Sequence, residues 1–173
     1  MISASCTRRS DVAFPLASVV TFDYPKRGGF PELRFTWCDG LIRPPAPKEL
    51  NGAAMPKEGV MYVGTKAKML IAMEGKDGMR ILDPKLDALA KTIPATLPRR
   101  GDIWKEWLDA CKGGEKAGCC FDWALLITEF VLLGNLAVRT GGPVAFDPKT
   151  MHVANNPSAD ALLRLKYHNG WKL

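Results

Sequence analysis

Three side chains in or beside early loops are candidates for contact with a ligand. Arg27 lies in the Pro/Gly-rich loop 25–31, and Trp37 and Asp39 lie at the end of the segment LRFTWCDG. An indole face suits a sugar-like ring, and charged groups suit its hydroxyls. The alternative interpretation makes Trp37 a core residue and Asp39 a turn residue before Gly40. We predict that Arg27, Trp37 and Asp39 bind substrate.

The cysteines and histidines indicate neither a disulfide framework nor a metal site. The five cysteines are odd in number and none forms a CxxC pair, and the only histidines are His152 and His168. We therefore expect free thiols. A redox role for the adjacent Cys119 and Cys120 is the alternative, but no flanking His or Arg would lower a thiol pKa. We predict a structural His152, an exposed His168 in a terminal helix, and no metal ligand.

The glycine-rich stretches do not form a dinucleotide-binding motif. No GxGxxG follows a predicted strand, and no acidic residue stands about 20 residues beyond one. The stretches RTGG and YPKRGG are predicted to be turn glycines. We expect this chain alone to bind no cofactor.

Length and composition indicate one globular domain over residues 1–173. The chain is 47% hydrophobic and 24% charged, which is compatible with a real core. Its net charge of +6 comes from scattered Lys and Arg, and this scatter disfavours nucleic-acid binding. Met1 leads into a polar run without a long apolar segment, so we expect no signal peptide. The cytoplasm and the periplasm both remain open.

Strands in the first half must position the candidate residues. Alternating apolar and polar residues predict strands at 2–9, 18–24 and 33–38, as neighbours in an antiparallel sheet covered on one face. The side chains expected to point inward are Ile2, Ala4, Cys6, Val20, Phe22, Tyr24, Leu33, Phe35 and Trp37.

The middle of the chain is predicted to contain a loop and a second hairpin. Four prolines make the stretch 39–59 a long irregular loop. Strands at 60–63 and 67–73 form the hairpin, and a short strand follows near 79–82.

The first predicted helix spans 102–114. Asp102 is its N-cap, Gly113 lies just past its end, and Lys105 and Asp109 form an i,i+4 pair. Its apolar face is expected to lie on the sheet and consists of Ile103, Trp104, Trp107, Leu108 and Cys111.

The second predicted helix, in the stretch FDWALLITEFVLLGNLAVRTGG, is apolar nearly all round. Asp122 is expected to cap it and Gly141 to end it, which gives about 18 residues. That length, with Glu129, Asn135 and Arg139 inside it, disfavours a membrane span. One face is predicted to pack on the sheet through Trp123, Leu126, Phe130, Leu133, Gly134, Ala137 and Val138. The second face suits a further protein surface. Glu129 would need a partner if buried, either Arg139 or a backbone donor.

Several motifs together resemble a known family. The stretches WKEWLDACKGG, FDWALLITEFVLLGNLAVRTGG and NPSADALLRLKYHNGWKL occur in this order after ASVVTFDYP, LRFTWCDG and GVMYVGTKAKML. Over nearly its whole length the chain resembles the C-terminal domain of the bacterial branch of the glucose-fructose oxidoreductase / inositol dehydrogenase family (Gfo/Idh/MocA). The resemblance implies an α+β fold, with an open, mostly antiparallel sheet and helices packed on one face.

The resemblance also implies a division of labour between two domains. In that family an N-terminal domain binds NAD or NADP and carries the catalytic Lys and a nearby His, none of which matches a residue here. A His often found near the start of the EW-DAC helix is replaced by Ile103. The C-terminal domain lines the substrate pocket and commonly forms the oligomer interface through its sheet. We therefore expect no catalytic residue here, inactivity of the chain alone, and a dinucleotide-binding partner domain or subunit.

Three functions are compatible with these observations. The first is the substrate-side and assembly domain of an NAD(P)-dependent oxidoreductase that acts on a sugar or polyol. The second is part of an NAD-dependent glycoside hydrolase built on the same scaffold. The third is a non-enzymatic dimerisation or carbohydrate-binding module.

Overall fold

The fold is described from a computed structural model, which covers residues 1–73, 78–164 and 167–171. The chain divides into two compact units, one formed by Met1–Ile42 with Gly101–Leu173 and the other by Arg43–Arg100. The prediction of a single domain over residues 1–173 stays a prediction.

Short strands and helices alternate along the described chain. In order they are β1 (Ile2–Cys6), β2 (Ser18–Tyr24), β3 (Leu33–Asp39), a 3₁₀ turn (Lys48–Leu50), β4 (Gly59–Val63), β5 (Lys68–Ala72), β6 (Met79–Ile81), α1 (Pro84–Ala90), α2 (Ile103–Cys111), α3 (Phe121–Thr140), β7 (Phe146–Asp147), β8 (His152–Val153) and α4 (Pro157–Ala161).

The first unit is built on an antiparallel sheet in the order β1-β2-β3. Strands β2 and β3 lie where the alternation of residue types predicted them, and β1 begins as predicted but ends at Cys6, three residues before its predicted end. Ile2, Val20 and Phe22 are buried, whereas Ser3 and Ser5 on the other face of β1 are exposed. The predicted sheet with one covered face is confirmed for β1 and β2.

Helix α3 covers that face and completes the core. It packs on β1 and β2, and an aromatic cluster seals the contact. The rings of Phe22 and Phe130 stack with centroids 4.1 Å apart, and the edge of Phe35 meets both. The buried core consists of Ile2, Val20, Phe22, Leu136, Ala137, Val138, Val144, Val153 and Ala159.

Only the C-terminal half of α3 is packed. The predicted sheet-facing residues Phe130, Leu133, Gly134, Ala137 and Val138 do lie at the core. Two further predicted contacts are wrong, because Trp123 and Leu126 are 65% and 64% exposed. They belong to a mostly exposed apolar surface that runs from the start of the helix to just past its middle and is formed by Phe121, Trp123, Leu125, Leu126, Ile127, Val131 and Leu132.

The bounds of α3 correct one part of the sequence interpretation. Gly141 ends the helix in the left-handed conformation, as predicted, with φ of 73°. Asp122 is not the N-cap, because the helix begins at Phe121 with Cys120 before it. Asp122 lies in the first turn, where a carboxylate suits the helix dipole, and forms an ion pair with Lys116.

With 20 residues, α3 is also longer than predicted. It is long and apolar enough to cross a membrane by length and composition, although soluble core helices can meet the same criterion. The observed length therefore does not disfavour a membrane span, in contrast to the predicted one. The polar Glu129, Asn135 and Arg139 still interrupt the helix, and the absence of a membrane span stays a prediction.

Helix α2 forms as predicted but does not lie on the sheet. The Asp102 carboxylate accepts a hydrogen bond from the Lys105 backbone N–H, and Lys105 pairs with Asp109. No residue of α2 is buried, and Trp104 and Trp107 are exposed. Three strands spaced by about 4.8 Å make a surface only about 10 Å wide, which a single helix of similar diameter fills. Helix α3 already occupies it.

The last elements of the first unit pack beside the start of the chain. Val144 and Ile2 exchange two backbone hydrogen bonds, and the hairpin β7–β8 follows. Asn156 caps α4 by accepting the Ala159 backbone N–H. The prediction that a terminal helix contains His168 is wrong, because α4 ends at Ala161 and His168 lies beyond it, exposed as expected. Residues 165–166 and 172–173 of the tail motif lie outside the described residues.

The second unit contains the predicted hairpin and one helix that was missed. Strands β4, β5 and β6 form an antiparallel sheet around the buried Leu70. Helix α1 follows β6, with the Asp83 carboxylate accepting hydrogen bonds from two backbone N–H groups at its start. Asp83 followed by Pro84 is a typical helix start that the sequence interpretation overlooked.

An ion pair ties the long loop to the second sheet. Lys68 of β5 donates to both carboxylate oxygens of Glu49 at 2.8 Å. This hydrogen bond is the main cause of the lowered pKa of Glu49. Glu49 belongs to the 3₁₀ turn, which is the only regular structure in the stretch 39–59 between β3 and β4. The predicted irregular loop is otherwise confirmed.

The described chain is therefore a mixed α+β structure. Its strands pair only antiparallel, in two three-stranded sheets and one hairpin, and α3 packs on the first sheet.

Candidate functional site

The off-centre position of α3 leaves one strand of the first sheet open. Because α3 packs on β1 and β2, the inner face of β3 is only partly covered. The strand register places Asp39 opposite Ser18, and Trp37 opposite Val20. Opposite residues in an antiparallel pair point to the same face, so Trp37 and Asp39 both lie on the α3 side of the sheet.

A groove lies between α3 and this open face. Its volume is about 150 Å³, roughly the space of five water molecules. We call it the β3 groove. Its lining comprises Phe14, Pro15, Ser18, Val20, Phe22, Trp37, Asp39, Phe130, Val131, Gly134, Asn135 and Val138.

The floor of the β3 groove depends on the close approach of α3 to the sheet. A Cβ atom at Gly134 would lie 3.0 Å from Cζ of Phe22 and 3.5 Å from Cγ1 of Val20. The missing side chain therefore lets the helix backbone reach the buried β2 side chains. This contact fixes the distance between α3 and the sheet, and with it the position of Asn135 and Val131 at the groove.

One end of the groove is closed by a loop that two arginines hold. Nε of Arg9 donates to the carbonyl of Val138 at 3.2 Å, and Nη2 of Arg139 donates to the carbonyl of Asp11 at 3.2 Å. Phe14 and Pro15 lie in this loop, between β1 and β2. Arg139, one of the two partners considered for a buried Glu129, donates to this loop instead.

Polar groups with free hydrogen-bonding capacity face a mainly apolar groove that contains four aromatic side chains. Within the described residues, the side chains of Asp39, Asn135 and Ser18 have no hydrogen-bond or ion-pair partner. The indole of Trp37 is 51% exposed, so a ligand can contact it directly. An open aromatic face next to a carboxylate and an amide can hold a small ring that carries polar substituents.

Trp37 and Asp39 are brought together, whereas Arg27 is not. Arg27 lies in the β2–β3 loop, at the end of β3 opposite to Asp39. Six residue steps along β3 separate the two ends by roughly 20 Å. The Arg27 guanidinium stacks 5.1 Å from the centre of the Tyr24 ring. A substrate-binding role for Arg27 stays a prediction that no contact with the groove supports.

The sequence interpretation missed the residues that close the groove. Phe14 and Pro15 precede β2 in a stretch without a periodic pattern. Asn135 was considered only as a polar residue that interrupts the apolar helix. Ser18 was read as the first residue of its strand. None of these four positions could be tied to Trp37 before the packing of α3 was known.

A second polar cluster lies at β8 and α4. The Asp160 carboxylate accepts the Val153 backbone N–H at 2.8 Å and meets Nδ1 of His152 at 3.0 Å. These two contacts lower the pKa of Asp160, with the backbone hydrogen bond first. Nη2 of Arg164 lies 3.1 Å from Nε2 of His152, so both ring nitrogens are engaged. The cluster joins β8 to α4, in keeping with the structural role predicted for His152.

The described cysteines form no disulfide. All five cysteines are free, as predicted, and burial raises the pKa of Cys38. Among residues 1–73, 78–164 and 167–171, no cluster of three or more His, Cys, Asp or Glu side chains could hold a metal ion.

Comparison with known proteins gives no relative for this chain. No family model matches it, and no match is found among curated proteins or solved structures.

Proposed function

We propose that this chain is the substrate-side and assembly domain of an NAD(P)-dependent oxidoreductase that acts on a sugar or polyol. The observation that carries the proposal is the β3 groove, where Trp37 and Asp39 stand side by side with Asn135 across from them. The oxidoreductase class rests on the resemblance of the EW-DACKGG and TE-VLLGN-A-R-G motifs to the Gfo/Idh/MocA family. On this proposal, the sheet β1–β3 with α3 corresponds to the open sheet of that C-terminal domain.

The groove chemistry fits the substrate side of such a reaction. The Trp37 indole would stack on the carbon skeleton of the ring, and the Asp39 carboxylate and Asn135 amide would hydrogen-bond its hydroxyls. Positioning the substrate is the task left to this domain, because hydride transfer requires the reacting carbon to touch the nicotinamide. NAD or NADP and the proton-transferring groups would come from the partner domain.

Exposed apolar surfaces support the presence of that partner. The first half of α3 bears Trp123 and Leu126, and α2 bears Trp104 and Trp107, all exposed. Contiguous apolar patches of this kind mark interaction surfaces in soluble proteins. A dinucleotide-binding domain or subunit would cover them, and assembly through the sheet would join copies of the protein.

Hydride transfer tests the proposal. DNA upstream of the Met1 codon is sequenced, the reading frame found there is expressed together with this chain, and NAD(P)H formation is measured with a panel of sugars and polyols. We expect activity with at least one of them, and Trp37→Ala should lower kcat/KM about 10- to 100-fold, the loss of one well-packed aromatic contact. Trp171→Ala, at an exposed tryptophan outside the groove, is the matched control. A complex that binds NADH but oxidises no member of the panel contradicts the proposal, as does an upstream frame without a dinucleotide-binding fold.

A second candidate is a carbohydrate-binding module without catalysis. The observation in its favour is that the β3 groove is formed by the first unit alone. Sugar binding with no hydride transfer in any complex would favour this module. Part of an NAD-dependent glycoside hydrolase stays an alternative that would show as glycoside cleavage in the same complex.

A further inference from the structure

The β3 groove contains a single charged side chain. Among its lining residues, all of them described, Asp39 alone carries a formal charge. Its carboxylate has no ion pair within the described residues, although the chain as a whole carries a net charge of +6. The only charge in the lining of the groove is therefore negative, and it favours a ligand that carries a positive charge.

The nearby arginines do not neutralise this carboxylate. Arg9 and Arg139 line the adjoining cavity with Ser10 and Ala13, not the β3 groove. Both guanidinium groups donate to backbone carbonyls, as Arg9 does to Val138 and Arg139 to Asp11. Their positions follow from holding the loop, so neither guanidinium pairs with the Asp39 carboxylate, which is exposed and accessible to a ligand.

The aromatic walls strengthen the preference for a cation. Trp37 and the rings of Phe14, Phe22 and Phe130 surround the groove. The face of an aromatic ring carries negative electrostatic potential and attracts an ammonium group. This attraction is strongest for Trp. The Asp39 carboxylate is exposed to solvent, so its attraction for an ammonium group is that of a surface ion pair and adds to the attraction of the ring faces.

The size of the groove suits a ligand of one ring. Its volume of about 150 Å³ is below the range of about 300–1,000 Å³ typical of sites for drug-sized ligands. A monosaccharide ring with one amino substituent satisfies the size, the aromatic face, the amide and the carboxylate together.

We propose that the β3 groove selects an amino sugar, whose ammonium group pairs with Asp39 while its ring stacks on Trp37. This inference rests on the proposed function for the choice of a sugar. It makes Asp39 the specificity-determining residue and predicts that sugars with a carboxylate or phosphate bind worst, because their charge is repelled by Asp39.

A titration of the intact chain tests the selection. Tryptophan fluorescence is followed with D-glucosamine, D-glucose and D-glucuronate, at a pH at which the amine is protonated. We expect glucosamine to bind about two- to fivefold more tightly than glucose, the effect of one solvent-exposed ion pair, and glucuronate to bind most weakly. Asp39→Asn should abolish the difference in affinity between glucosamine and glucose. Asp39→Glu should restore part of the difference, and Asp109→Asn, at a carboxylate on α2, should leave all three affinities unchanged.

The outcomes separate this inference from the proposed function. Equal affinities for glucosamine and glucose would overturn the selection by Asp39 and leave a neutral-sugar site intact. A preference that persists in Asp39→Asn would also overturn it. Binding of none of the three sugars would overturn both the selection and the sugar site on which it rests.

Discussion

The end of α3 offers a sharp test of how the groove is built. Gly141 adopts a left-handed backbone with φ of 73°, and its N–H donates to the carbonyl of Ala137 at 3.0 Å. A Cβ atom there would lie 2.4 Å from Cζ of Arg9. Gly141→Ala therefore imposes two separate costs, one in the backbone and one on the arginine that holds the loop.

The two costs can be estimated from the geometry. A residue with a side chain in the left-handed region is destabilised by about 1–2 kcal/mol relative to Gly. Displacement of Arg9 loses its hydrogen bond to the Val138 carbonyl at 3.2 Å and the longer one to Gly141 at 3.4 Å, together about 1 kcal/mol. We expect Gly141→Ala to lower the free energy of unfolding by about 2–3 kcal/mol.

A double-mutant cycle with Arg9→Ala separates the two contributions. In the Arg9→Ala background the clash is gone, so Gly141→Ala should cost only the backbone part, about 1–2 kcal/mol. The measurement is urea-induced unfolding of the four proteins, followed by far-UV circular dichroism. An equal cost in both backgrounds would refute the contact between Arg9 and Gly141. No cost in either would refute the left-handed cap itself.

Three further predictions follow from the packing and the charges. Gly134→Ala should destabilise the fold by about 1 kcal/mol in urea unfolding, since crowding of Phe22 outweighs the gain in helix propensity. Gly29→Ala, at a glycine with open space around it, should change stability little, and equal effects would contradict the close approach of α3. The pKa of the Asp160 carboxylate is below its ordinary 3.8, so the ionised carboxylate stabilises the fold above that pH. This stabilisation is lost as the pH falls through the pKa of the folded state. The free energy of unfolding should therefore fall less steeply with decreasing pH in Asp160→Asn. Trp123→Ser should change the free energy of unfolding, measured by thermal unfolding, by no more than about 0.5 kcal/mol, because this side chain is 65% exposed. A larger loss would mean that the helix is packed there.

The strands could be predicted because their signal is local. Alternation places Val20 and Phe22 on one face whatever lies above them, and it likewise placed Phe35 and Trp37 on one face of the third strand. Caps are local as well, which is why Asp102 and Gly141 were identified correctly.

The docking of the helices could not be predicted in this way. An amphipathic pattern shows that a face needs cover, but it does not show which surface provides the cover. Trp104 and Trp123 were therefore assigned to a sheet that is only three strands wide. The one helix that fits there is held by Gly134 and by contacts such as that between Arg9 and Val138, 129 residues apart in sequence.

The candidate site shows the same limit. Trp37 and Asp39 were identified from residue type and spacing, and both line the groove. Phe14 and Asn135 complete it only because the chain folds back across more than 100 positions, a relation that no local pattern contains. Arg27 was grouped with them by proximity in sequence, although a whole strand separates it from Asp39.

The most direct test of the proposed function measures hydride transfer by two complexes. Each contains the protein encoded upstream of the Met1 codon, and this chain is the wild type in one and Trp37→Ala in the other. We predict reduction of NAD or NADP with a sugar or polyol, and a fall in kcat/KM for Trp37→Ala with unchanged NADH binding. Turnover that is unaffected by Trp37→Ala would remove the groove from catalysis, and a complex that binds NADH but reduces no cofactor would contradict the oxidoreductase assignment.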